Sequence, residues 1–340
     1  MQAVRLEQPG TLRIHDVAEP TAPGPGQVLV ALSRLGICGT DLHAFHGRQP
    51  FFDYPRILGH ELAVEILALG DGVDGLRPGQ RATVIPYLHC GRCLPCRRGH
   101  TNCCADIRVL GIHIDGGMQE RFLLPAETLL THDTLSADAL ALVETLAIGA
   151  HAVARSGARA EDRALVVGAG PIGLGVGVRL RALGVPVLLL DRSTSRLEAA
   201  RSFGLADQVL GGDDDAQALA DRFQGEGPTL VFDATGNPAS MNRAVDLAAP
   251  SATVVFVGLH QGQVEFTDTT FHKKELTLMA SRNARREEFA IVLDDLAAGR
   301  VDPAPWITHR TSLSKVVDDL PAFTDPTAGV VKAMLDVERS

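Results

Sequence analysis

Cys90, Cys93, Cys96 and Cys104 are separated by two, two and seven residues in a loop rich in glycine and charge, HCGRCLPCRRGHTNCC. Four thiolates at this spacing can fold around one tetrahedral Zn²⁺ at about 2.3 Å each. Cys103 competes with Cys104 for the fourth place. The seven-residue return favours Cys104 because it lets the loop close, with Cys103 left as a spare, packed thiol. Disulfides would need an oxidising compartment. The chain opens MQAVRLEQPG, without a charged-then-apolar leader, and no apolar run is expected to approach the roughly 20 residues of a membrane span. The expectation is a cytoplasmic protein with a structural zinc and no membrane partner.

Two further groups carry chemistry. GICGTDLH and LGHE place Cys38, His60 and Glu61 in one region, and thiolate, imidazole and carboxylate are the mixed donors of a catalytic zinc that keeps one position open. GAGPIG places Gly168, Gly170 and Gly173 after the apolar run ALVV, with Pro171 and Ile172 between them, at the start of a helical pattern. There the first glycine makes the tight turn, the second admits a pyrophosphate, and the third lets helix and strand pack closely. The next apolar run, VPVLLL, ends in Asp191, where a carboxylate can accept from an adenosine ribose and repel a 2′-phosphate. NAD is therefore favoured over NADP, with Arg192 tempering that preference.

These groups need elements to position them. The chain has 340 residues, 45 % of them hydrophobic and 21 % charged, with a formal net charge of −9, as in ordinary globular proteins of two domains. The acidic balance and the lack of a dense Lys/Arg stripe argue against nucleic acid as a partner. Before about residue 150, QVLVALSRLG, ELAVEILALG and QRATVIPYL read as short strands of a mostly antiparallel body, with cysteines and histidines on the loops. From Arg163 onward, apolar strands alternate with helical stretches, the pattern of a parallel sheet covered on both faces. After about residue 296, irregular and short-strand text such as GVVKAMLDV suggests a return to the first domain. The expected domains are 1–151 with 296–340, including a zinc lobe over about 86–106, and 152–295.

CGTDLH, GHE, the four-cysteine lobe, VETLAIGAHA and VVGAGPIGLG, in this order, resemble the zinc-dependent medium-chain alcohol and polyol dehydrogenases over essentially the whole chain. The resemblance implies an α/β protein: a GroES-like, mostly-β catalytic domain plus a Rossmann, doubly wound parallel-sheet coenzyme domain. It implies two zincs per chain and NAD. Cys38 and His60 would ligate the catalytic zinc, and Glu144 falls at the third-ligand position. Glu61 can coordinate instead, so the third ligand is either carboxylate. Asp41 resembles the carboxylate that orients the ligating imidazole. Thr40 and His43 match the family's proton relay, with a surface-loop histidine as the competing reading of His43. Asp191 and Arg196 resemble the adenosine-ribose pair. Thr235, Gly258, Arg282 and Asn283 complete the cofactor set. Relatives are commonly dimers or tetramers, so a homodimer or homotetramer is expected.

For substrate, the loop after His43, AFHGRQPFFDYPR, offers Arg48, Gln49 and Phe51, a mixture suited to a polyhydroxylated molecule. Arg282 matches an arginine that polyol dehydrogenases hold near substrate, and a guanidinium can grip a carboxylate bidentately. QPFFDYPRILGHE, GIHIDGG and FHKKELTLMASRNA look like bacterial sugar-acid dehydrogenases of the L-galactonate/L-gulonate 5-dehydrogenase type. The expected reaction is oxidation of a secondary hydroxyl of such an acid to the keto acid. A neutral polyol such as sorbitol is the alternative, and a non-catalytic zinc-binding interaction protein is the rival from another class.

Overall fold

A computed structural model describes residues 1–204, 208–211 and 216–337. The chain divides into two compact units, Met1–Glu144 with Arg285–Ser340, and Thr145–Ala284. The sequence reading put the boundaries at 151 and 296. The first division instead falls inside one continuous helix, Ala137–Ser156, so no turn residue marks it. The second precedes the helix Arg286–Ala297, which belongs to the first unit and which the reading assigned to the second.

The first unit is built on the strand Gln27–Ile37, whose sequence QVLVALSRLGI alternates at its start and is buried almost continuously at its end. It pairs antiparallel with Glu61–Leu69, Arg121–Pro125 and Lys332–Asp336. Arg81–Val84, Leu129–Thr131 and Ile307–Ser312 extend this to a seven-stranded sheet, while Thr11–Asp16, Gln2–Gln8 and Arg56–Ile57 form a three-stranded one. Leu6, Leu32, Leu35, Leu58, Leu62 and Ile66 are fully buried in the shared core. Removing that apolar surface from water is the main term holding the unit together. The returning segment enters the sheet: Ala333 pairs with Ile37 and Leu335 with Leu35.

Among its described residues the second unit has six parallel strands in the order Gln208–Gly211, Val187–Asp191, Ala164–Val167, Leu230–Asp233, Thr253–Phe256 and Thr277–Ala280. The strands ALVV and LVFD are buried at every residue, as expected for a sheet covered on both faces. Strand order reverses between Ala164–Val167 and its neighbour Leu230–Asp233. Such a switch point opens a crevice at the carboxyl ends of the strands.

One expectation needs correction. Ala137–Ser156 is long and apolar enough, by length and composition, to cross a membrane, although 72 % of its most apolar window is buried inside the protein. It is a core helix here. In the first unit its N-terminal turn is tied down by Asp138, which receives Arg34 Nε at 3.0 Å and also pairs with Arg310.

Candidate active site

Tyr87–Leu88 pairs antiparallel with Arg108–Val109, and the two short strands close the base of the cysteine loop. Above them Cys93 precedes the one-turn helix Leu94–Arg97, which carries Cys96, and a 3₁₀ turn, Thr101–Cys103, delivers Cys104. The sulfurs of Cys90, Cys93, Cys96 and Cys104 all lie within 4.8 Å of one another. The separations are 3.3 Å for Cys93 to Cys96, 3.5 Å for Cys104 to Cys90 and 3.8 Å for Cys93 to Cys104. A tetrahedron with 2.3 Å arms has edges of about 3.8 Å, so the donor set fits zinc closely. None of the four is in a disulfide. Backbone N–H groups of Cys90 and Asp106 each donate to Cys104 Sγ at 3.3 Å. The N–H groups of Ala105 and Cys96 lower the Cys93 thiol to about 6, while burial and then the Cys93 and Cys104 sulfurs push Cys96 up to about 12. Crowded thiols that cannot all ionise alone can do so around a divalent cation. Cys103, expected to be packed, is exposed and stands outside the set.

The second cluster lies in the core of the same unit. Cys38 precedes the helix Gly39–Phe45; its N–H donates to Asp41 Oδ2 at 3.0 Å, and Asp41 Oδ1 stands 3.8 Å from His60 Nδ1. His60 and Glu61 lead into the strand Glu61–Leu69. Donor atoms of Cys38, His60 and Glu61 lie within 4.8 Å of one another. The Glu61 carboxylate occupies a slot that only glycine leaves open, since a Cβ on Gly36 of the paired strand would sit 2.1 Å from Glu61 Oε2. Behind it, Lys332 Nζ donates to both Glu61 oxygens at 2.7 Å and to Ile37 O at 3.3 Å. Glu144, on the Ala137–Ser156 helix, is buried but outside the three-residue donor set, and accepts a very short hydrogen bond from the Tyr87 hydroxyl.

The electrostatics call for a cation. Burial raises the carboxyls of Asp41 and Glu144, partly offset by His60. Burial opposes charge on His60 and Lys332, yet Cys38 and Asp41 raise the imidazole, and Glu61 and Cys38 raise the amine. Tyr87 is raised well above 10 by burial and by Glu144. The carboxyls of Asp41, Glu61 and Glu144 and the sulfur of Cys38 thus gather around the amine of Lys332 and the imidazole of His60 in a largely buried cluster, where unpaired charge is expensive. Among the described residues, Asp41 Oδ1 and His60 Nδ1 also find no hydrogen-bond partner although buried. A divalent ion would balance the set, so these residues fit the metal that the sequence suggests.

Thr40 and His43 are three residues apart on the Gly39–Phe45 helix and therefore lie on the same face; Thr40 is half-buried and His43 exposed. Partial burial, then Arg48 and His46, lower the His43 imidazole. Arg48 and Phe51 are exposed on the following loop, with Gln49 half-buried.

In the second unit Gly168 adopts φ +103° directly after Ala164–Val167, Gly170 caps the helix Pro171–Ala182, and a Cβ on Gly173 would lie 1.7 Å from Gly168 O. Asp191 Oδ2 accepts from Ala169 N at 2.6 Å and Oδ1 from Ser193 N at 2.8 Å, so this carboxylate sits at the rim of the glycine turn. Arg196 stands 4.0 Å from it, and Arg192 is exposed. Thr235 reaches the same turn: its Cγ2 lies 3.2 Å from where a Cβ on Gly168 would stand. Gly258 packs on the Gly236 backbone, where a Cβ would meet the nitrogen at 2.2 Å. Arg282 is exposed, and Asn283 takes a positive φ of 53°.

Residues 24–134 match the alcohol dehydrogenase GroES-like domain and residues 171–298 the zinc-binding dehydrogenase model. The chain is 44 % identical over 313 residues, 91 % of either protein, to L-galactonate-5-dehydrogenase of Escherichia coli (strain K12). It is similar to the crystal structure of the alcohol dehydrogenase rspB of E. coli CFT073 complexed with NADH, at TM-score 0.92 and 33 % identity over 99 % of each chain. A zinc-binding dehydrogenase of Sinorhizobium meliloti 1021 bound to NADP aligns at TM-score 0.91 and 31 % identity over 98 % of each chain. The chain belongs to the zinc-type, medium-chain alcohol dehydrogenase family. It is a dehydrogenase with a GroES-like and a Rossmann domain, as the motifs led one to expect.

The sequence reading missed Lys332 and Tyr87. Lys332 stands in GVVKAMLDV, where a lysine inside an apolar strand is a weak hint of a buried partner. Tyr87 carries no such hint.

Proposed function

We propose that this dehydrogenase oxidises a secondary hydroxyl of a sugar acid of the L-galactonate or L-gulonate type to the keto acid, with NAD as acceptor. The observation that carries the reading is the donor cluster of half-buried Cys38 with buried His60 and Glu61, and buried Glu144 beside it. Similarity to L-galactonate-5-dehydrogenase supports the substrate class, as do the polar donors Arg48 and Gln49 and the guanidinium of Arg282 as a carboxylate grip. Asp191 at the glycine turn supports NAD. Cys90, Cys93, Cys96 and Cys104 would hold a second, structural zinc. We place the enzyme in the cytoplasm as a homodimer or homotetramer; the Thr277–Ala280 strand ends its sheet, and exposed Leu259 and Phe266 in the same unit support a contact with a second copy.

When bound, zinc supplies Lewis acidity that lowers a substrate hydroxyl's pKa, and the nicotinamide accepts hydride. The chain's own residues do the rest. Asp41 orients His60, Thr40 accepts the substrate hydroxyl's proton as it gives its own onward toward His43, and His43 releases a proton to solvent. Oxidation of aldonates and neutral polyols, followed as reduction of NAD and of NADP, tests the reading. An aldonate with NAD should give the highest kcat/KM. Equal turnover of sorbitol, or equal efficiency with NADP, would overturn the substrate or the cofactor assignment.

His43 sets a pH prediction. A relay base must be neutral to accept, and because its pKa is lowered from 6.5, its acid limb should lie below that pH. Oxidation should fall as pH drops through that limb. His43→Ala should lower the rate by about 10²-fold, most clearly above the limb, with partial rescue by small buffer bases. An unchanged rate and pH profile in stopped-flow oxidation would make His43 a surface residue only.

A further inference from the structure

Two buried carboxylates flank the Cys38–His60 pair, and different groups hold them from behind. Glu61, inside the 4.8 Å donor set, is held by Lys332 at 2.7 Å. Glu144, outside it, is held by the Tyr87 hydroxyl. Tyr87 and Glu144 are 7 % and 4 % exposed, so bulk water offers little competition for this hydrogen bond. Tyr87 is itself fixed twice. Its backbone pairs with Val109 at the base of the cysteine lobe, and its ring packs edge-on against Phe289, with centroids 6.2 Å apart.

We infer that Tyr87 is a positioning residue that holds Glu144 outside the Cys38, His60 and Glu61 donor set, so that this carboxylate does not join them on the ion they would hold. This rests on the metal-centre reading above. The phenol's donation holds the Glu144 rotamer where its oxygens lie outside the 4.8 Å donor set, whereas Lys332 holds the Glu61 carboxylate inside it.

The test uses the full protein with zinc in the cysteine lobe and cobalt(II) in the Cys38–His60 centre, comparing Tyr87→Phe with the parent. Phenylalanine keeps the packing on Phe289 and removes only the hydroxyl. In Tyr87→Phe, cobalt affinity by chelator competition should rise about tenfold, the visible cobalt bands should weaken as a further oxygen donor joins, and kcat should fall with little change in stability. In a Glu144→Gln background the same substitution should change neither affinity nor spectrum. Identical affinity and spectrum in parent and Tyr87→Phe, or a shift that persists with Glu144→Gln, would overturn the inference. Absence of a thiolate-to-cobalt band in the parent would remove the metal-centre reading itself, and this inference with it.

Discussion

Cys93→Ser is expected to leave the chain with one zinc instead of two and to make it aggregate. The four sulfurs sit at tetrahedral spacing on a lobe whose secondary structure is two short strands, a single helical turn and a 3₁₀ turn. So little regular structure buries too little apolar surface to order itself. Structural zinc supplies about 10–16 kcal/mol in small peptides, whereas a whole domain is stable by only about 5–15 kcal/mol. Losing one thiolate therefore removes a term as large as the margin. Metal analysis with thermal unfolding checks this, and His60→Ala is the control: it should lose the other zinc and all activity while staying folded and soluble. A Cys93→Ser protein with two zincs and an unchanged Tm would refute the structural role.

Lys332→Met carries the second large effect. Lys332 and Glu61 are 2 % and 1 % exposed in their side chains, and both carboxylate oxygens are engaged by the amine. Removing one partner of such a buried pair costs about 3–5 kcal/mol, because the other charge is left uncompensated in the core. In a chain of this size that amounts to a fall in Tm on the order of 10 °C. Adding Glu61→Gln to Lys332→Met should recover most of the loss without restoring activity, since the stranded charge goes but the ligand goes with it. Differential scanning calorimetry at matched zinc content measures both changes. If the single variant melts like the parent, or the double variant melts no higher than the single, the pair is not what stabilises this part of the core.

What could be read in advance was local. Cys90, Cys93, Cys96 and Cys104 lie on one loop, and the GAGPIG turn lies between adjacent elements, so spacing alone carries their geometry. Asp191 joined the turn because parallel pairing sets Leu190 against Val167. Register across long separations was not legible. Lys332 reaches Glu61 over 271 residues only because the Lys332–Asp336 strand inserts beside Gln27–Ile37, and nothing in GVVKAMLDV names that neighbour. Tyr87 meets Glu144 through the packing of a helix, for which a single sequence has no period. The division of the units at Glu144 was not legible for a related reason: Ala137–Ser156 runs through it without a Gly or Pro break there.

The same strand insertion bears on the order in which the molecule matures on the ribosome. Lys332–Asp336 is translated after every residue of the Thr145–Ala284 unit, yet it supplies both the neighbour of Gln27–Ile37 and the amine that faces Glu61. The nucleotide-binding unit can therefore complete its sheet during synthesis, while the metal-binding unit waits with an open edge and an uncompensated carboxylate. The nascent first half is therefore expected to be the more aggregation-prone species, and zinc captured before Lys332 emerges would meet a pocket with one positive charge fewer than the finished one.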